Sequence, residues 1–425
     1  MMETIIAFFH LLLIGLFCFW FWRKQELPIR KFYWHALAAK LSAGILIGII
    51  HAILYSSSDT FVMFEWAKEL SQHARMDLSW YLDYLLTGGS EGYFPGVERT
   101  IFFVKITSMF ALITYDNYWI TSLYFSLFSF LAAWRLTKFT WMNFPGVGIP
   151  AAIALLFFPS CVFWASGIIK ESLAMTGLYL LTALFLRLWL KQRITVLQIV
   201  VGLIAIWIVW NLKYYFVGLF IPALLATWLT KMIADKWGIT NFSIEIPIWF
   251  LTFLSTCFAA TFAHPNFSLA RVLDVLVSNN LAYLQFSNPD DVIHYFNLDN
   301  TWISIVLNAP WALVSGLFRP FIWEANTFLK FVVSVENLVM IVLVAMSARS
   351  LLKVNKSPHR LLILAILVYA VSLCVFLAIS TPNFGTLVRY RIGFLPFLLI
   401  LVLNQPMIVN ALSKSFNVQV PDLPR

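Results

Sequence analysis

Charged residues are scarce in this chain. Only 12% of its 425 residues are charged, whereas 61% are hydrophobic and 17% are aromatic, and the mean hydropathy is +0.83. Soluble domains carry about twice that share of charge, so this composition excludes an ordinary soluble protein. Apolar runs of about 17 to 20 residues follow one another, and runs of that length are typical of membrane-spanning helices.

Cysteine is also scarce, and no linker or internal repeat is present. The four cysteines, Cys18, Cys161, Cys257 and Cys374, are dispersed along apolar runs without a CxxC pair. This pattern indicates neither a disulfide framework nor a zinc site, and it predicts small buried side chains. Because no low-complexity segment divides the chain, we predict a single transmembrane domain over residues 1–425.

The apolar runs predict an all-α polytopic membrane protein with about eleven transmembrane helices, in a range of about 10 to 13. We assign the spans to residues 4–22, 38–56, 117–134, 148–165, 172–190, 195–211, 214–230, 246–263, 331–348, 361–380 and 391–411. The first run continues directly into Arg23-Lys24 without a small-residue cleavage site, so we expect a retained helix.

Lysine and arginine predict the orientation, because positively charged loops stay in the cytoplasm. The basic residues alternate along the chain so that the N-terminus is predicted outside and the C-terminus inside. This distribution accounts for the net charge of +9, and we predict no nucleic-acid partner. Two large loops then lie outside, residues 57–116 and 264–330.

Two apolar stretches within these loops are not assigned as spans. Thr100–Thr114 is short and contains Lys105, and Ile303–Phe318 contains Pro310. Counting either stretch as a span would move later basic clusters to the outside. We predict that both are interfacial or re-entrant helices.

The first external loop concentrates acidic residues. It carries eight carboxylates against four basic side chains. Asp59 matters most, because it lies where a predicted span meets water and within reach of both a lipid headgroup and a soluble acceptor. The acidic residues are Asp59, Glu65, Glu69, Asp77, Asp83, Glu91, Glu98 and Asp116.

Charged residues at membrane depth are costly and are therefore candidates for function. Eight such candidates, most of them charged, are predicted on one membrane face: Asp59, Lys170, Glu171, Lys213, Arg319, Arg389, Tyr390 and Arg391. Each has a structural alternative. Asp59 can cap a helix, the helix dipole can favour the Glu171 carboxylate in the first turn of a helix, and the basic residues can be interfacial anchors. His264 and His294 lack metal-ligand spacing.

This set of residues fits chemistry on a lipid-linked phosphate. Transfer of a sugar from a polyprenyl-phosphate donor needs a carboxylate to take the acceptor proton, and we assign that role to Asp59, with Glu171 as a second catalytic residue. Cations stabilise the leaving phosphate, and arginine can form two charge-assisted hydrogen bonds with it. The predicted substrate-binding residues are Lys170, Lys213, Arg319, Arg389, Tyr390 and Arg391. A divalent cation, Mg or Mn, held by Asp59 and Glu171 is the one cofactor considered.

Three short segments carry a resemblance to a known group. Asp59 opens a large first external loop, Glu171 follows a Pro/Ser-rich turn, and Gly385 to Arg391 forms a late Gly-x-x-x-Arg-Tyr-Arg segment. This layout resembles the GT-C superfamily of polytopic glycosyltransferases, and residues 316–321 resemble uncharacterised bacterial relatives of that group. The resemblance implies lipid-phosphate-linked donors, a catalytic or metal-linked role for Asp59, and a bacterial inner membrane with a periplasmic or extracellular active face.

The sequence therefore predicts a glycosyltransferase that moves a sugar to a glycan, lipid or protein acceptor at the outer face. Two alternatives stay open. One is a polysaccharide polymerase or ligase that uses polyprenyl-diphosphate oligosaccharides. The other is a flippase or transporter of lipid-linked saccharides, for which charges through mid-membrane and broken helices are expected.

Overall fold

The fold is built from α-helices. The computed structural model describes residues 2–26, 29–54, 59–87, 94, 97–262, 264–268, 271–351 and 354–415. Within these residues the β-type pairing is limited to one isolated bridge between Val292 and Asn383. Residues 88–93, with the acidic residue Glu91, and residues 95–96 of the first predicted loop lie outside the described residues.

The helices follow one another with short connections. Their bounds are α1 Met2–Arg23, α2 Tyr33–Leu54, α3 Asp59–Met76, α4 Leu78–Thr87, α5 Glu98–Thr114, α6 Tyr118–Asn143, α7 Gly148–Ala152, α8 Pro159–Phe163, α9 Lys170–Trp189, α10 Val196–Trp237, α11 Phe242–Ala260, α12 Val272–Phe286, α13 Trp302–Phe318, α14 Phe328–Leu351, α15 Arg360–Ser380, α16 Phe384–Tyr390, α17 Leu395–Leu403 and α18 Pro406–Ser415.

Several of these helices are long and apolar enough to cross a membrane. The described residues contain seven such candidates, or eight if the bent pair α16–α17, with its 69° bend, is one span. The seven lie within α1, the α2 region from Ile29, α9, α10, α11, α14 and α15. These helices confirm the prediction of an all-α membrane protein with several spans.

The candidate count is nevertheless lower than the eleven predicted spans, for local reasons. Residues 195–211 and 214–230 lie in α10, where two helices meet at a kink at Lys213, so the break falls between the two predicted spans although the 42 residues count as one candidate. Residues 148–165 are divided into α7, a π-helical turn and α8, because Pro159 begins a new helix. Residues 117–134 lie in α6, which is not among the candidates.

Helix α6 is largely buried against other helices, and small side chains let α2 approach it closely. A Cβ added to Gly44 of α2 would lie 2.0 Å from Ser126 Oγ of α6. Ser122 of α6 also donates a hydrogen bond to the Gly44 carbonyl at 3.0 Å. Small side chains at a contact between two helices let the two backbones come close together.

The two stretches that were not assigned as spans are both helical. They form α5 and α13, of 17 residues each, and neither is among the candidate spans. Lys105 of α5 donates a hydrogen bond to the Leu85 carbonyl of α4 at 3.2 Å, so its charged group has a protein partner. Whether α5 and α13 lie in the membrane interface stays a prediction.

The chain divides into two compact units. The first contains Met1–Asn143, Leu155–Leu184 and Ile194–Tyr214, and its apolar core joins α3, α4 and α5 through residues such as Phe64, Tyr84 and Phe103. The second contains Phe144–Ala154, Phe185–Arg193 and Tyr215–Arg425. In the second unit α15 packs against α12, α13 and α17. The predicted site residues are distributed over both units.

Candidate functional site

Asp59 is the first residue of α3, and its side chain is exposed. The next residue, Thr60, is fully buried, and its hydroxyl donates a hydrogen bond to the Ile168 carbonyl at 2.6 Å. The same hydroxyl lies 3.1 Å from the Tyr118 hydroxyl. The buried Thr60 therefore fixes the start of α3, and the neighbouring carboxylate faces solvent beside the segment that precedes α9. A carboxylate in the first turn also interacts favourably with the helix dipole.

Aromatic packing holds the same end of α3. The ring of Phe61 stacks on Tyr118 with centroids 4.4 Å apart, and Phe64 meets that ring edge-on at 5.2 Å. Offset and edge-to-face pairs add to the free energy gained by burial. Asp59 thus lies at a helix end whose following residues are packed in place.

A buried ion pair lies in the same unit. Glu171 of α9 is 0% exposed and Lys213 of α10 is 3% exposed, and Lys213 Nζ is 2.7 Å from Glu171 Oε1. Lys213 has φ −147° and ψ 64°, outside the helical region, so α10 is broken where this residue meets Glu171. Two charges out of water are tolerated only when they are paired. The pair therefore connects the first turn of α9 to the break in α10.

The turn before α9 is held tightly in place. Gly167 has a φ of +69°, and its amide donates a hydrogen bond to Ser126 Oγ at 2.9 Å. A Cβ at Gly167 would lie 3.1 Å from the Gly44 carbonyl oxygen, so a left-handed glycine is required by both backbone angle and space. Together with Thr60, these contacts position the segment that leads to Lys170 and Glu171.

Lys170 is half-buried at the start of α9. Its ammonium donates a hydrogen bond to Thr100 Oγ1 of α5 at 2.7 Å. Lys170 is therefore held at the start of α9, next to Glu171 of the buried pair.

In the second unit the Arg391 side chain is buried and hydrogen-bonded to other parts of the protein. It is 2% exposed, and its guanidinium donates hydrogen bonds to Asn337 Oδ1 at 2.6 Å and to the Leu317 carbonyl at 3.3 Å. Asn337 also donates a hydrogen bond to the Pro320 carbonyl at 2.9 Å. Arg391 and Asn337 thus connect α14 to the C-terminal end of α13. Its predicted role in binding substrate would require these buried contacts to be broken.

Arg319 forms an ion pair with Glu324. Its Nε lies 2.9 Å and 3.2 Å from the two carboxylate oxygens, and its guanidinium lies over the Phe384 ring at 4.6 Å. Glu324 also accepts a hydrogen bond from the Phe321 amide at 2.7 Å. The charge of Arg319 is therefore balanced locally, which favours a structural role.

Arg389 and Tyr390 are half-buried at the end of α16, near Tyr283 of α12. Burial raises the pKa of Tyr283, the neighbouring Tyr390 raises it further, and the Thr386 hydroxyl and the Arg389 charge lower it. These effects show that Arg389, Tyr390 and Tyr283 are neighbours. Of the two arginines in the Arg-Tyr-Arg segment, Arg389 is the more accessible.

Several residues of these sites were not identified from the sequence. Thr60, Thr100, Asn337 and Tyr283 contact the predicted residues but were not predicted themselves. Asn337 had a detectable signal, because it is a polar residue within the apolar helix α14. The contacts of Thr60 and Thr100 depend on long-range packing and have no local signal.

A divalent cation held by Asp59 and Glu171 stays a prediction. Within the described residues no group of three or more His, Cys, Asp or Glu side chains could hold an ion. The Glu171 carboxylate already has the Lys213 ammonium as its counterion. That ammonium would repel a divalent cation placed beside Glu171.

Comparisons with protein-family models, with curated proteins and with solved structures gave no match.

Proposed function

We propose that this protein is an integral-membrane glycosyltransferase that moves a sugar from a polyprenyl-phosphate donor to a glycan, lipid or protein acceptor. One observation supports the proposal most. The exposed carboxylate of Asp59 is anchored through Thr60 to the turn that carries the Lys170 cation and the buried Glu171–Lys213 pair. A base that takes the acceptor proton and a cation that stabilises the leaving phosphate are the two groups that sugar transfer from a phosphate uses.

The proposed reaction is a single displacement. The acceptor hydroxyl gives its proton to the Asp59 carboxylate while its oxygen attacks the anomeric carbon of the sugar. A new C–O bond forms, and the bond between the anomeric carbon and the phosphate oxygen breaks. The electron pair leaves with the polyprenyl phosphate, and the configuration at the anomeric carbon inverts. Asp59 later returns its proton to water.

The other residues have separate roles in this proposal. Lys170 stabilises the negative charge that develops on the leaving phosphate. Glu171, which the sequence predicted as catalytic, acts as a positioning residue with Lys213, because both groups are buried and paired. Arg389 keeps its predicted role of binding a phosphate, since its side chain is partly accessible.

The proposal includes the finer architecture expected from the sequence. It comprises a GT-C-like arrangement, about eleven spans, a bacterial inner membrane, and an active face in the periplasm or outside the cell. The long helix α10, with its break at Lys213, leaves room for two of the predicted spans within one element. The bent pair α16–α17 leaves room for another.

A second candidate function is transport of a lipid-linked saccharide. It is favoured by one specific observation, the buried Glu171–Lys213 pair at the break in α10. Ionisable pairs within membrane helices and interrupted helices are common at transport pathways. The bent pair α16–α17 is a second interrupted helix.

The first test is sugar transfer by the purified protein. Polyprenyl-phosphate sugars would be offered singly, with products identified by mass spectrometry, and wild type would be compared with Asp59→Asn. We expect a loss of about 100-fold or more in turnover, the effect of removing a general base. Glu65→Gln is the matched control, because Glu65 is an exposed carboxylate on the same helix, and it should keep full activity.

The outcomes separate the candidates. Normal turnover by Asp59→Asn would remove this residue from the mechanism. If wild type consumes no monosaccharide donor, polyprenyl-diphosphate oligosaccharides would test the polymerase alternative. Movement of an intact lipid-linked saccharide across a proteoliposome membrane, with no glycosidic bond broken, would support the transporter instead.

A further inference from the structure

A pocket of about 230 Å³ lies between the end of α9 and the end of α10, within the second unit. Its apolar wall includes Leu188 and Met232, which are 48% and 50% exposed. Its aromatic wall is formed by Trp189 and Trp228. The volume is below the roughly 300–1,000 Å³ of pockets that enclose a drug-sized ligand, so it suits a small polar group.

The pocket carries two cations and one anion. Lys191, Lys231 and Asp235 line it. Lys191 and Asp235 are 3.8 Å apart with side chains 79% and 56% exposed, and such exposed pairs are weak. The formal charge of the lining is therefore positive, and the pair can open for a stronger anion.

The Lys231 ammonium is held in place by Trp189 and keeps N–H donors for a ligand. Its ammonium lies 4.1 Å from the centre of the Trp189 ring and donates a hydrogen bond to the Trp189 carbonyl at 3.4 Å. Trp189 ends α9, so this carbonyl is one that the helix itself leaves unpaired. An ammonium has three N–H donors, so two remain for a ligand.

The imidazole of His359 lies near Lys231. Burial and the nearby Lys231 charge lower the pKa of His359, so this imidazole is neutral near pH 7 and adds no further cation. His359 precedes α15 and lies outside the candidate span Arg360–Ser380. The pocket therefore presents lysine ammonium groups as its cations.

The position of the pocket indicates what binds there. Both α9 and α10 are candidate spans, and the lining residues lie in the last turn of α9 or just after it and in the last three turns of α10, toward the ends of both apolar helices. Tryptophan and lysine at that level are typical of the lipid headgroup region. We propose that this pocket binds the phosphate headgroup of an anionic phospholipid. Lys191 and Lys231 donate hydrogen bonds to the phosphate, and the exposed Leu188 and Met232 lie against the acyl chain.

Native mass spectrometry of the full-length protein in detergent tests this proposal. Phosphatidylglycerol and phosphatidylcholine with the same acyl chains would be added separately. We expect retention of phosphatidylglycerol over phosphatidylcholine, and about a fivefold loss of bound phosphatidylglycerol in each of Lys191→Gln and Lys231→Gln. Lys414→Gln, at an exposed lysine of α18, is the control and should bind as wild type does.

Three outcomes would overturn the proposal. Equal retention of the two lipids would show that charge is not recognised. Unchanged binding in Lys191→Gln would exclude the pocket, and this variant is informative even if Lys231→Gln does not fold, because Lys191 is largely exposed. Inorganic phosphate that binds as tightly as phosphatidylglycerol would indicate a site for a free anion.

Discussion

At the scale of single residues, the buried ion pair is the feature with the clearest energetic consequence. Glu171 and Lys213 are both removed from water, so each depends on the other for its charge to be stable. Lys213 also departs from helical angles, which costs backbone hydrogen bonding in α10. The pair therefore stabilises a distorted segment and is sensitive to loss of either member.

We expect Glu171→Ala and Lys213→Met to lower the free energy of unfolding by about 3–5 kcal/mol each, because each leaves one buried charge without a counterion. The double variant should lose less than the sum of the two. Thermal unfolding in detergent, arranged as a double-mutant cycle, measures the coupling. Lys170→Met is the control, since Lys170 is half-buried and bonded to a neutral hydroxyl. Additive losses in the cycle would contradict a direct ion pair.

The two arginines of the Arg-Tyr-Arg segment should differ in what they affect. Arg391→Ala removes two buried hydrogen bonds from a charged group, each worth about 1.5–3 kcal/mol, so it should reduce stability. Arg389→Ala should leave the unfolding temperature nearly unchanged and weaken binding of the phosphate donor. Thermal unfolding and donor affinity, measured on both variants, separate the effects. A loss of donor affinity only in Arg391→Ala would reverse the assignment.

At the scale of elements, helix termini and helix breaks determine where polar groups go. Asp77 precedes α4, and its carboxylate accepts hydrogen bonds from the Ser79 hydroxyl at 2.6 Å and from the Trp80 amide at 3.0 Å. This is the geometry of an N-cap, in which a side chain pairs with an amide that the first turn leaves open. The hydrogen bonds lower the pKa of Asp77.

The α4 cap should depend on pH. Because the hydrogen bonds favour the ionised carboxylate, the folded-state pKa lies below that of the unfolded chain, about 3.9. The stabilisation is complete above the unfolded-state pKa and is lost as the pH falls through the folded-state pKa. Amide exchange in α4 should therefore show less protection at low pH in the wild type, whereas Asp77→Ala should be weakly protected at every pH. Equal protection of wild type and variant near neutral pH would contradict the cap.

The breaks in α10 and between α16 and α17 explain why element boundaries were hard to predict. Lys213-Tyr214-Tyr215 has the composition of an interfacial turn, and α10 is kinked at Lys213. The lysine is nevertheless buried, because Glu171 offers it a buried partner and it does not need water. Pro396 lies in the first turn of α17, where a missing amide donor costs little, so it starts a helix and does not end one.

At the scale of the whole molecule, the sequence was sufficient to predict the class of protein. Long apolar runs predict apolar helices because the backbone in lipid must satisfy its own hydrogen bonds. The first apolar run forms α1, and the prediction of an all-α membrane protein is confirmed. The described residues contain seven or eight candidate spans where eleven were predicted, because the stretch 148–165 is divided at Pro159 and the stretches 195–211 and 214–230 are joined in α10.

The candidate site was predictable only in part. The residue types followed from the rule that charge at membrane depth is expensive. Their partners did not, because the pairing of Glu171 with Lys213 and of Thr60 with Ile168 arises from packing of segments that are far apart in sequence. Their functional roles stay predictions until turnover is measured.

The close approach of α2 and α6 has a practical consequence for spectroscopy. One side of α2 has no space for a reporter group, because Gly44 lies against Ser126 and Gly48 lies against Tyr118 and Trp119. The opposite side is open, with Leu46 46% exposed and Ile53 74% exposed. A nitroxide or fluorophore attached at Ile53 would report on α2 without disturbing its contact with α6. One attached at Gly44 would separate the two helices, so its signal would come from a perturbed structure.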